Sequence, residues 1–107
     1  PIPCVLDEQA VLLGGAVAVA EYGPPASEQL AGNAVASLGE RAAVLLRHHG
    51  VLGVGTDIDE AVAVVDLVER VAKVRLLSVS LGGAHELTAD IVSAEARVYR
   101  MMKGFKA

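Results

Sequence analysis

The sequence predicts an α/β domain in which helices flank a central β-sheet, and two features carry that prediction. Residues 42–46 and 51–54 form runs of strand length that are apolar at every position, the pattern of strands covered on both faces. Around them lie stretches with helical periodicity and recognisable caps. The chain has 107 residues, enough for one domain and too few for two. It supplies few strands of its own, so a sheet covered on both sides calls for additional strands.

The elements follow in order. Residues 7–13 read as a short helical turn stopped by Gly14-Gly15. Residues 16–20 alternate Ala and Val and read as a short buried strand. Tyr22-Gly23-Pro24-Pro25 is a loop, because two prolines and a glycine cannot continue a strand ladder. Ser27 is an N-cap, with Glu28 in the first turn where the helix dipole favours an acid. Leu30, Ala34, Val35 and Leu38 share one face of the helix that follows, and Gly39 stops it.

Gly55-Thr56-Asp57 ends the second strand run and opens the longest element. Asp57 with Glu60 three positions on resembles a capping box, and the helical pattern runs from Ile58 to about Leu81. Asp59, Asp66, Glu69, Arg70 and Lys73 cluster on one side, the valines and leucines on the other. Asp66–Arg70 and Glu69–Lys73 are acid-first i,i+4 pairs worth about 0.2–0.5 kcal/mol each. Gly82-Gly83 breaks the helix. A last one is expected from Thr88, burying Ile91, Ala94, Val98 and Met102 ahead of a basic tail of Lys103 and Lys106.

Composition narrows the function classes. The apolar share is 53% against 21% charged residues, with a mean hydropathy of +0.49, which is too apolar for a small freestanding domain. A protein partner is expected to cover the excess. A membrane is not: the longest run without a strongly polar residue is 10–20, it contains two glycines, and a span needs about 20 apolar residues. The net charge of −4, without a basic stripe, disfavours nucleic acid. The lone Cys4 excludes an intramolecular disulfide and suits a reducing compartment such as the cytoplasm. Pro1-Ile2-Pro3-Cys4 reads like the middle of a polypeptide.

The most distinctive segment is Leu45-Leu46-Arg47-His48-His49-Gly50-Val51-Leu52, two adjacent histidines between two strands. Successive strand residues point to opposite faces. If the extended geometry persists, the two rings cannot serve one site, and one is a ligand or base while the other is structural or solvated. A single histidine at a strand end is more often a hydrogen-bonded structural residue than a metal ligand.

The surrounding text changes that balance. Tyr22-Gly23-Pro24-Pro25-Ala26-Ser27-Glu28-Gln29-Leu30-Ala31, then Val44-Leu45-Leu46-Arg47-His48-His49-Gly50-Val51-Leu52, then Gly55-Thr56-Asp57-Ile58-Asp59-Glu60-Ala61 resemble, in that order, the C-terminal half of the class II aldolase and adducin family. The resemblance implies that residues 1–107 are the C-terminal portion of a single domain, with its N-terminal half absent, and that the parent is a three-layer α/β/α sandwich. It implies a divalent metal, usually zinc, held by three histidines, of which the one directly before the glycine is His49. His48 falls where the family accepts Asn or His and is not a ligand. The other two histidines come from a His-x-His segment of the N-terminal half, together with the proton-handling glutamate and the phosphate loops. None of these motifs occurs in this sequence, so the catalytic residues stay unassigned and this chain alone is expected to be inactive.

The chemistry explains the metal. Breaking a carbon–carbon bond beside a carbonyl leaves charge on an enediolate oxygen, which a Lewis acid stabilises, and a catalytic zinc keeps three protein ligands and one open position. The resemblance thus implies part of a metal-dependent lyase, an aldolase cleaving a phosphorylated sugar or related keto compound by retro-aldol chemistry. Alternatives within the family are a sugar-phosphate epimerase or decarboxylase, and a non-catalytic interaction module like the adducin head. Implied partners are the small sugar phosphate, the missing half of the domain and further copies in a cytoplasmic homotetramer. His85 falls in a variable loop and is read as a non-ligand. Cys4 is read as a small buried hydrophobe, and Glu8 has no partner motif. Tyr99 and Phe105 fall where the family often carries a tyrosine that reaches a neighbouring subunit, and Tyr99 is read as packing.

The composition makes a direct prediction. Residues 1–107, alone in solution, are expected to bind a hydrophobic dye; a monomeric, well-folded and dye-negative chain would contradict the need for a covering partner.

Overall fold

A computed structural model describes residues 1–105; Lys106, assigned above to a basic tail, lies outside the described residues. A short π-helix, Gln9–Leu13, opens the fold. Strand β1 (Ala18–Ala20), helix α1 (Glu28–Leu38), the hairpin strands β2 (Ala43–Leu46) and β3 (Gly50–Gly53), and helices α2 (Ile58–Val79) and α3 (Ala89–Met102) follow. The sheet is small and mixed. Its order is β1-β2-β3, with β1 parallel to β2 and β2 antiparallel to β3. Helix α1 packs on β1 and β2, and α2 on β3 and β2. The α/β class is therefore as expected, built on three short strands.

Local rules account for most boundaries. Ser27 Oγ accepts the Leu30 N–H at 3.1 Å, and Gly39, at φ 58°, ends α1. Asp57 accepts the Glu60 N–H at 2.8 Å. Glu60, however, reaches back beyond the cap to the N–H and hydroxyl of Thr56, so the capping box is displaced by one residue. Gly82 and Gly83, at φ 102° and 97°, turn the chain out of α2 as the glycine pair predicted. At the other end of α1, the Arg41 guanidinium donates to the carbonyls of Leu38, Ser37 and Ala16. It places a cation on the negative end of the helix and ties that end to β1.

The core forms where the sheet meets α2 and where α3 packs on the π-helix. Leu13, Val17, Ala43, Val64, Leu67, Val68, Val71 and Tyr99 cluster there, with Leu45, Val51 and Ala72 against them. Fully burying a valine- or leucine-sized side chain contributes about 1.5–3 kcal/mol. Gly53 permits the close approach of α2, since a Cβ there would lie 2.8 Å from Val65 Cγ2. Buried Gln9 pins the N-terminal segment: its Oε1 accepts from Val5 and Leu6, and its Nε2 donates to the Pro3 carbonyl. Cys4 is buried as expected, and burial first, then the Glu95 carboxylate, pushes its thiol pKa up.

The structure corrects four expectations. Val35 is 70% exposed, because α1 buries Ala34 and leaves the next position open. Helix α3 buries Ala96 and Tyr99, not Ile91, Ala94, Val98 and Met102, all of which are exposed. The reason is a socket: Gly14, at φ 83°, has no side chain, and a Cβ there would sit 2.8 Å from the Tyr99 ring. The aromatic ring that fills it sets the rotation of α3. Arg70 pairs with Glu8 instead of Asp66, Glu69 and Lys73 form no ion pair among the described residues, and the other ion pair joins Lys103 to Glu60. The hairpin strands are covered less completely than their composition implied, since Leu52 and Val54 beside the outer edge are exposed.

Much apolar surface stays open. Leu76, Leu77, Val79 and Leu81 are exposed at the end of α2, and Ile91, Val98, Met101 and Met102 along α3. The accessible area is 6610 Å², against about 5,600 Å² for a compact monomer of this mass. The radius of gyration is 13.9 Å, where about 13 Å is typical. No helix of the described residues is long and apolar enough to cross a membrane.

Where α3 meets the start of the chain, Glu95 lies against Asp7, and its Oε2 is out of solvent. Loss of solvent, and then Asp7, raises its carboxyl above the ordinary 4.5. The folded state therefore holds more protons than the unfolded chain once pH passes that value, and stability falls as pH rises through the folded group's titration. Glu95→Gln is expected to flatten this decline in denaturant midpoints measured from acid to neutral pH. An unchanged slope would place the dependence elsewhere.

Candidate functional site

The two histidines sit in the three-residue connection of the β2–β3 hairpin. Leu46 pairs with Gly50 across it, and the His49 N–H closes the turn onto the Leu46 carbonyl at 2.9 Å. His48 takes φ 65°, a left-handed conformation that histidine tolerates better than most residues. The extended geometry therefore does not persist, and the expectation that the two rings must diverge is corrected. Both line one cleft of about 470 Å³, whose walls include Val19, Leu45, Val51, Val68 and Ala72. Val19, Leu45 and Val51 are register partners across the three strands, so the sheet presents a flat apolar floor leading to the histidines.

His49 is exposed but not free. Its Nε2 lies 2.8 Å from the Gly23 carbonyl, close enough for a ring N–H to donate there. With the proton on Nε2, Nδ1 carries the lone pair. Tyr22 flanks both rings: it stacks on His49 with centroids 5.6 Å apart and planes 7° from parallel, and meets His48 edge-on at 5.8 Å and 71°. The loop that supplies Tyr22 and Gly23 is itself tied down. Asn33 Nδ2 donates to the carbonyls of Glu21 and Tyr22. Gly23 is buried against α1 so closely that a Cβ would fall 2.5 Å from the Leu30 backbone.

This arrangement fits one corner of a metal site. A metal-bound histidine characteristically donates its other ring N–H to a carbonyl or carboxylate, which fixes ring and tautomer, and the Gly23 contact has that form. The described residues do not complete a cage, since no three His, Cys, Asp or Glu side chains converge among them. His85 is exposed in the α2–α3 connection and does not line the cleft. Tyr99, 4% exposed, packs in the core. Glu8 pairs with Arg70, and neither lines the cleft. The sequence reading took Tyr22-Gly23-Pro24-Pro25 only as a loop and missed its role at the histidines.

The comparisons with known proteins bear on the family and the fold. The family description "Class II Aldolase and Adducin N-terminal domain" matches residues 1–76. A solved L-fuculose 1-phosphate aldolase superposes with a TM-score of 0.83 at 29% identity, over 92% of this chain and 46% of that one. The chain thus spans about half the length of the structure it matches. No curated protein sequence matches it.

The close approach at Gly23 can be tested. Gly23→Ala is expected to destabilise by about 1–3 kcal/mol, the usual range for overpacking, as read by denaturant midpoint. It should also release His49 from a single tautomer, as read by ring ¹⁵N shifts. A variant with wild-type stability and an unaltered ring would show the approach to be slack.

Proposed function

The chain belongs to the class II aldolase and adducin family, and from that premise we propose that it is part of a divalent-metal-dependent lyase. The substrate class is a phosphorylated sugar or related keto compound, and the reaction a retro-aldol cleavage. The observation that carries this reading is His49: an exposed imidazole at the mouth of an apolar cleft, held at one nitrogen by a backbone carbonyl, with no other hydrogen bond of the ring among the described residues. The likeness to an L-fuculose 1-phosphate aldolase supports it.

In this reading His49 would hold zinc or another divalent ion, and the Gly23 carbonyl would keep the ring in one tautomer. A metal bound there supplies a Lewis acid that stabilises the negative charge left on a carbonyl oxygen as the carbon–carbon bond breaks. The chain's own part is to position one ligand and to line the approach with the apolar side chains of Val19, Leu45 and Val51. The remaining ligands and the group that moves the proton belong to a preceding half of the domain, which completes a three-layer α/β/α sandwich. That half, and further copies in a homotetramer, cover the open faces of α2 and α3. The compartment proposed is the cytoplasm, where the buried Cys4 thiol stays reduced.

The test uses the intact protein, assayed for metal-dependent cleavage of a panel of phosphorylated ketoses and for Zn²⁺ affinity by chelator competition. His49→Ala is expected to weaken Zn²⁺ binding by more than the about 10–100-fold typical of losing an outer-shell partner, and to abolish cleavage. Metal binding that survives His49→Ala unchanged would overturn the ligand assignment. An intact protein with neither metal nor cleavage would be an interaction module of the adducin type.

A further inference from the structure

We propose that Tyr22 is a positioning residue for His49, its ring fixing the plane in which the imidazole presents its free nitrogen. The inference rests on the reading of His49 as a metal ligand and goes beyond it by naming what holds that ligand still.

The argument starts from degrees of freedom. A histidine side chain turns about two bonds, and among the described residues the His49 ring makes a single hydrogen bond. The Gly23 carbonyl fixes one point of the ring, Nε2, at 2.8 Å. A single hydrogen bond at Nε2, which lies close to the Cβ–Cγ axis, leaves the ring free to rock about that axis, which would sweep Nδ1 through an arc. A second contact must remove that motion.

The Tyr22 ring is placed to do so. It lies nearly parallel to the imidazole, 7° apart, with centroids separated by 5.6 Å, within the range of offset-stacked aromatic pairs. Swivelling would break this parallel packing and drive an edge of the imidazole toward the tyrosine face. Tyr22 also meets His48 edge-on, so both faces of the turn are registered against one ring. That ring is half-exposed, yet its backbone is not loose. Asn33 holds the carbonyls of residues 21 and 22 from α1, and Gly23 is wedged against Leu30. Plane and anchor point therefore come from two consecutive residues of one immobilised loop, and α1 carries both.

The contact is made by the ring. No hydrogen bond involving the Tyr22 hydroxyl is found among the described residues, which separates a stacking role from a hydroxyl role experimentally. The expected pattern is that Tyr22→Phe behaves as wild type, whereas Tyr22→Ala and Tyr22→Leu do not; leucine keeps an apolar cover but loses the flat face.

The experiment uses the intact protein in two states. In the metal-free protein, ring ¹⁵N shifts of His49 report its tautomer. One tautomer is expected in wild type and Tyr22→Phe, and averaging in Tyr22→Ala and Tyr22→Leu. In the second state, Zn²⁺ affinity is measured by chelator competition, with Co²⁺ absorption as a check on ligand geometry. Tyr22→Ala and Tyr22→Leu are expected to bind about 10–100-fold more weakly, with altered Co²⁺ bands, and Tyr22→Phe within about threefold of wild type.

The outcomes separate. Weakened binding in His49→Ala with wild-type affinity in Tyr22→Ala and Tyr22→Leu overturns the role of Tyr22 and leaves His49 as ligand. Tyr22→Phe as weak as Tyr22→Ala overturns the stacking argument. Zn²⁺ affinity unchanged in His49→Ala overturns the ligand reading and this inference with it.

Discussion

The geometry around His49 depends on one close approach. A carbonyl can be held 2.8 Å from the imidazole because the Gly23 backbone runs against Leu30 with no side chain between them. Any Cβ would push the loop off α1, carrying Tyr22 and the carbonyl away from the hairpin together. Three elements therefore meet at a glycine. Helix α1 supplies the surface, the loop supplies a carbonyl and an aromatic ring, and the β2–β3 turn supplies the histidine. Asn33 reinforces the junction from the same helix, and Arg41 binds the far end of α1 to the segment that leads into β1. The position of the imidazole is thus a property of how α1 sits on the sheet.

What could be read in the sequence follows the distance over which each feature is decided. Ser27, Asp57, Gly39 and the Gly82-Gly83 pair mark helix ends because capping depends on groups a few residues away. The strand runs were visible because apolar continuity reports burial, although β1 and β2 are shorter than their runs and β3 is shifted by one residue. The buried face of α3 was not visible. Its periodic apolar stripe pointed to Ile91 and Val98, whereas the helix docks through Tyr99, whose socket is a glycine 85 residues earlier in the chain. Arg70 likewise chose Glu8, 62 positions away, over a neighbour one turn off. In each case a tertiary partner outbid a local one worth only a few tenths of a kcal/mol.

The site divides along the same line. His49 stood out because an adjacent pair of histidines beside a glycine, between two strands, belongs to a recognisable stretch of text. Its supporting contacts did not, because Tyr22 and Gly23 lie 26 and more residues upstream and their proline-rich context reads as a turn. Neither residue type advertises a role: a loop tyrosine and a loop glycine are common. Only the folded chain shows that one gives a plane and the other an acceptor.

The hairpin's outer strand has a bearing on how the open side of the sheet can be extended. Strand β3 is four residues long, with glycine at both ends, so it offers few backbone groups to a neighbour and little resistance to sliding. Backbone pairing alone would hold an added strand in several alignments of similar energy. Selection among them falls to the outward side chains, Leu52 and Val54, whose bulk beside bare glycines works as a set of teeth.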